Sequence, residues 1–157
     1  MNSYVFRSSL IVFLLTYFIR KAKLYNVSGK KNVLIVTDGA EKARKIAKEI
    51  AAALKGNKVL IKDASAFVGT DILPAEVLFF GCSEPSPSSF GYIEELLQHI
   101  NLARRPLGIF SSASRKSIQY LARISKDSEA ALYKEPFLAE NSRDIERWST
   151  LVLAGKN

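Results

Sequence analysis

The sequence predicts an α/β domain: a five-stranded parallel sheet in the order 2-1-3-4-5, with helices on both faces. Three observations lead there. Asn32–Leu54 (NVLIVTDGAEKARKIAKEIAAAL) runs from a short apolar stretch through Thr37-Asp38-Gly39 into an amphipathic helical pattern, the opening of a βαβ unit. Further short apolar runs alternate with helical patterns down the chain, as right-handed crossovers in a parallel sheet require. The fifth run, Leu132–Glu140, contains Pro136, which removes a ladder donor; that strand should be short, begin near the proline, or lie at a sheet edge.

Val33 to Val36 is continuously apolar, suiting a central strand buried on both faces. In the helix that follows, Ala43, Ile46, Ala47, Ile50 and Leu54 share one face, while Lys42, Arg44, Lys45, Lys48 and Glu49 turn to water. Lys55-Gly56-Asn57 stops it, and Lys58–Lys62 is the second strand. Asp63–Ala75 is too short and irregular for a full helix and reads as a loop with at most a few helical turns. Glu76–Gly81 is the third strand, Cys82–Ser89 its loop, and Phe90, Ile93, Leu97 and Ile100 recur at helical spacing. Leu107–Phe110 is the fourth strand, ending in Ser111-Ser112-Ala113-Ser114. Ile118, Leu121, Ala122 and Ile124 mark a helix running towards Ala131. Asn141 is the expected N-cap of the last helix, with Asp144 three residues on, and Ile145, Trp148 and Val152 form its apolar face.

The 157 residues suffice for one domain with a substantial core. A single cysteine excludes an internal disulfide, and one histidine with one cysteine argues against a His/Cys zinc site within the chain; no metal is expected. The net charge of +8 is concentrated at the start. Residues 1–31 hold Arg7, Arg20, Lys21, Lys23, Lys30, Lys31 and no acid, so residues 32–157 keep 17 basic against 15 acidic residues, a net +2. No basic patch interleaved with aromatics marks the folded part, which argues against nucleic-acid binding. Residues 1–31 therefore read as a hydrophobic and basic leader ahead of a domain at 32–157. Leu10–Ile19 (LIVFLLTYFI) is shorter than a full bilayer span. Arg20, Lys21 and Lys23 follow it where a signal peptide would show small residues for cleavage. Residues 8–19 are read as a membrane anchor or interfacial helix, a helix packed on the domain, or a mis-assigned start. If they insert, the basic cluster keeps the domain cytoplasmic, tethered to the inner membrane face.

In the predicted sheet, three loops meet beyond the carboxyl ends of the strands: Thr37–Glu41, Gly81–Ser89 and Ser111–Ser114. Taken with the stretches AEVLFFGCSEPSPSSF, RPLGIFSS and SRDIERWSTLV, the region from about residue 31 to 155 resembles the flavodoxin family. The resemblance implies an FMN site built from these loops: Thr37, Asp38, Gly39, Ala40 and Glu41 at the phosphate, and Cys82, Ser83, Glu84, Pro85, Ser86, Phe90, Ser111, Ser112 and Ala113 around the ring, with Tyr92 a second aromatic within reach. It further implies electron transfer to a redox partner protein by cycling of the flavin, without a catalytic side chain. The family's phosphate loop reads Ser/Thr-x-Thr-Gly-x-Thr. Here one glycine and one hydroxyl remain, with carboxylates at Asp38 and Glu41.

Each residue also has a plainer reading. Gly39 would serve the strand-to-helix turn, Asp38 and Glu41 the helix dipole, and the serines the cap of the next helix. Cys82 would be a buried thiol at a strand end. Two functions follow: an FMN-binding electron-transfer domain, which the Gly81-x-Ser83-x-Pro85 pattern favours, or a flavodoxin-like domain without flavin acting as a binding module. A phospho-receiver is excluded because only Asp38 of its acidic and lysine set is present. A serine hydrolase is excluded because no nucleophile elbow or suitably placed histidine exists.

Overall fold

A computed structural model describes residues 29–141 and 144–156. The strands are β1 (Asn32–Thr37), β2 (Lys58–Asp63), β3 (Val77–Cys82) and β4 (Pro106–Ser111), followed by two dipeptide segments, β5 (Ala131–Leu132) and β6 (Phe137–Leu138). The α-helices are α1 (Glu41–Ala53), α2 (Gly91–His99), α3 (Arg115–Ser125) and α4 (Ile145–Leu153). All strand pairs are parallel, and the order is β2-β1-β3-β4-β5, with β6 also on β4. This is the expected α/β sheet of order 2-1-3-4-5, and Lys31–Asn157 forms one compact unit.

Side-chain alternation divides the interior in two. Val33, Ile35, Val77, Phe79 and Phe110 face α1 and α4, meeting Ile46, Ala47, Ile50, Trp148 and Val152. Leu34, Val36, Leu78, Phe80 and Ile109 face α2 and α3, meeting Ile93, Leu97, Leu121 and Ile124. Buried on both sides, β1 and β3 need the unbroken apolar runs they have. Two glycines make room on the first face. A Cβ at Gly81 would lie 2.0 Å from the Phe110 ring, and one at Gly108 would lie 2.9 Å from Phe79 and 3.1 Å from Trp148.

The crossover from β2 to β3 carries no α-helix, only 3₁₀ turns at Ala64–Ala66 and Gly69–Ile72, as its irregular composition predicts. Its shape is fixed by polar contacts. Asp71 accepts from Val68 N–H at 3.0 Å and pairs with Lys62 at 3.2 Å. The Arg105 guanidinium donates to the carbonyls of Ile72 (2.8 Å), Leu73 (3.4 Å) and Ala75 (2.9 Å).

The fifth strand is short and lies at the sheet edge, as its proline requires: it makes two pairings on β4, at Pro106–Leu107 and at Phe110–Ser111, separated by Tyr133–Pro136. Pro136 has no N–H to give, so the ladder resumes only after it. The N-cap of α4 is Asp144, not Asn141: the Asp144 carboxylate accepts from Arg147 N–H at 3.1 Å, while residues 139–141 form a separate 3₁₀ turn. The expected membrane-associated segment at 8–19 lies outside the described residues. Among the described residues, no helix is long and apolar enough to cross a membrane.

Candidate functional site

The strand order brings the three predicted loops together at the carboxyl end of the sheet. β1 delivers Thr37, fully buried, whose hydroxyl accepts from Gly39 N–H at 3.2 Å and donates to Asp63 at 3.2 Å. Gly39 turns the chain at φ +87°, where a side chain would be strained. Ala40 then begins α1 and offers no capping side chain.

Asp38 dominates the crevice. Its Oδ1 accepts from Ala40 N–H at 3.1 Å, within the first loop. Its Oδ2 crosses to the loop after β3 and accepts from Ser83 N–H at 2.7 Å and Glu84 N–H at 3.3 Å. The backbone of Asp38 is fixed in the same direction: its N–H donates to Gly81 O at 3.2 Å, and its carbonyl accepts from Ser89 Oγ at 3.5 Å. A carboxylate that receives three N–H groups makes strong, charge-assisted bonds.

The second and third loops are also joined. Ser83 Oγ lies 2.5 Å from Ser112 Oγ, and Ser117 Oγ donates to Ser83 O at 3.3 Å. Ser111, buried at the end of β4, accepts from the N–H groups of Ala113 (3.2 Å) and Ser114 (3.3 Å). Ser114 caps α3 by accepting from Ser117 N–H at 3.3 Å. Among the described residues, no buried side-chain nitrogen or oxygen lacks a partner.

Of the predicted site residues, hydrogen bonds join Asp38 to Ala40, Ser83 and Glu84, and Ser83 to Ser112, and Glu41, Glu84, Pro85 and Ser86 are exposed at this end of the sheet. Cys82 and Phe90 lie deeper. Both are wholly buried in the core beneath, and the Phe90 ring packs edge-on against Tyr120 at 6.4 Å. Burial, with the charge of Asp38 next, pushes the Cys82 thiol up to about 12, so it is not a nucleophile at neutral pH. Tyr92 is half exposed on α2, its ring 6.1 Å from that of Phe67. A cavity of about 460 Å³ opens between α1 and α4, lined by Lys42, Lys45, Ile46, Phe137 and Ile145, and it reaches the site residues at Ser112.

Sequence reading missed Asp63 and Arg44. Asp63 ends β2 in register with Thr37, and Arg44, one turn into α1, grips its carboxylate with Nε (3.0 Å) and Nη2. The hydrogen bond from Arg44 holds the Asp63 carboxyl below its ordinary 3.8. A group with a folded-state pKa below its unfolded one adds stability that is complete above the unfolded value and is lost as pH falls through the folded one. Asp63→Asn is therefore expected to flatten the acid side of the stability profile below pH ~4. Urea midpoints of both proteins measured from pH 6 downwards check this, and parallel curves would contradict it.

No protein-family model and no curated protein sequence matches the chain. Solved structures do match, and they define a class. The chain is similar to a flavodoxin from Streptococcus pneumonia TIGR4 (16% identity, 80% of this chain, 99% of that one, TM-score 0.66). It is similar to a short-chain flavodoxin associated with a non-canonical PDU bacterial microcompartment (13%, 81%, 96%, 0.67) and to oxidised Flavodoxin 2 from Bacillus cereus (16%, 79%, 97%, 0.65). The chain thus contains a flavodoxin-like domain.

The resemblance implies FMN, and the crevice as arranged does not fit it. Three N–H groups of the first and second loops, those of Ala40, Ser83 and Glu84, are taken by the Asp38 carboxylate, and the predicted stacking residue Phe90 is in the core. A phosphate within 4 Å of that carboxylate would meet a repulsion of about 4 kcal/mol per pair of unit charges at an effective dielectric of 20.

Proposed function

We propose that this is a flavodoxin-like domain that works by binding a partner rather than by cycling a flavin. The observation that carries the reading is the Asp38 carboxylate, which accepts from three N–H groups of the first two loops, those of Ala40, Ser83 and Glu84. Large apolar side chains left exposed support a role in recognition: Leu60 on β2, Val68 and Leu73 in the crossover after it, and Tyr92 on α2. Residues 8–19, followed by Arg20, Lys21 and Lys23, would tether the module to the cytoplasmic face of a membrane.

A second reading, an FMN-dependent electron-transfer domain, is favoured by two observations. The neighbours above are flavodoxins covered almost end to end, and the start of α1 has no side-chain cap, leaving its dipole to attract an anion. The visible spectrum of the purified chain and an FMN fluorescence-quenching titration separate the two. A colourless, folded protein that leaves FMN fluorescence unchanged is the expected result. A yellow protein, or saturable quenching at micromolar FMN, would establish the second reading instead.

A further inference from the structure

We infer that Asp38 is the residue that decides what this crevice accepts: its carboxylate is an internal anion seated where the two loops converge, and it excludes external anions. The inference rests on the flavin-free reading and names its cause. Three N–H groups from two separate loops converge on one carboxylate, Ala40 at 3.1 Å, Ser83 at 2.7 Å and Glu84 at 3.3 Å. That is how proteins hold a bound oxyanion, here with the anion supplied by the chain.

The backbone that carries the carboxylate is held on both sides, by Asp38 N–H to Gly81 O and by Ser89 Oγ to Asp38 O. A tethered group competes at an effective concentration that a free ligand does not match. An incoming phosphate would therefore find these three amides occupied and a negative charge beside it. The fold itself is not the obstacle. The loops are in place, and their remaining links, Ser83 to Ser112 and Ser117 to Ser83, do not involve Asp38. Removing the carboxylate alone leaves the Ala40, Ser83 and Glu84 amides aimed at a common volume.

The test uses the full chain and two variants, Asp38→Ala and Asp38→Asn, with inorganic phosphate, FMN and riboflavin as probes. Amide resonances of Ala40, Ser83 and Glu84 are followed by ¹⁵N NMR during each titration, and FMN and riboflavin fluorescence in parallel. For the wild type, neither phosphate nor FMN should move these amides saturably. In Asp38→Ala, all three amides should shift on loss of their acceptor, and phosphate should then bind at least roughly tenfold more tightly than to the wild type. FMN should bind this variant better than riboflavin, which lacks the phosphate.

Asp38→Asn is isosteric, removes the charge and retains an acceptor, so it should fall between the two. It decides by the same readout if the alanine variant does not fold. Wild-type chain that binds FMN saturably overturns the flavin-free reading and this inference together. A silent wild type with folded variants that are equally silent towards phosphate overturns the inference alone.

Discussion

Trp148→Ala is expected to cost about 4 kcal/mol, the upper range for truncating a large aromatic in a core. This one side chain, the only tryptophan, seals the face of the sheet covered by α1 and α4. Its ring meets Phe79 edge-on at 5.5 Å and Phe137 at 5.4 Å, and its Nε1–H donates to Glu135 O at 2.7 Å. Each contact joins a different part of the chain: β3, the resumed edge segment β6, and the turn that precedes it. The cost is a large share of the ~5–15 kcal/mol that holds a typical domain together. Trp148→Phe keeps much of the apolar contact but leaves the Glu135 carbonyl without this donor, and is expected to cost about 1–2 kcal/mol. Urea unfolding followed by circular dichroism, with the slope unchanged, measures both. A loss below about 1 kcal/mol in the alanine variant would show that α4 contributes little to this face.

Gly81→Ala is expected to lower stability by about 3 kcal/mol, although it adds a single methyl group. Its Cβ would sit 2.0 Å from the Phe110 ring, and Phe110 is fully buried. The neighbouring strand pairings, Thr37 with Gly81 and Gly81 with Phe110, keep the backbone from retreating. The mechanism is separable from a general intolerance of β3 by a double-mutant cycle. Phe110→Leu on its own should destabilise, and in the Gly81→Ala background it should cost less or even recover stability. Simple additivity would mean that the methyl group is harmful for some reason other than this ring.

How much was legible in the sequence differs between fold and site. Each strand of the sheet's centre is an apolar run that only double burial explains, so Val33–Val36 and Leu78–Phe80 could be placed without a structure. Pro136 put the last strand at an edge because of a missing donor, a property of the residue itself. The break at Tyr133–Pro136 was not legible, since it depends on where β4 offers carbonyls to resume pairing. Asn141 and Asp144 both suit an N-cap, and the choice depends on the intervening 3₁₀ turn. At the site, the meeting of three loops followed from strand order. What each polar group does there did not. Asp38 and Ser83 are 45 residues apart, and Arg44 and Asp63 are 19 apart. Such pairs depend on register and rotamer, which local patterning does not encode.

The divided fifth strand has a consequence for how copies of this chain meet in concentrated solution. A sheet rim invites a foreign strand where it offers a long, even row of backbone donors and acceptors. On the β5–β6 side that row is interrupted after two residues by Tyr133–Pro136, so an incoming strand finds no continuous template. The opposite rim, β2, is six residues long and unbroken, and beside the exposed Leu60 it carries Lys58, while Lys62 on the same face is paired with Asp71. Like charges facing across two such rims repel, and salt screens that repulsion. The two rims of the sheet are therefore protected differently: one by chain geometry at any ionic strength, the other by the charge of Lys58, which salt screens.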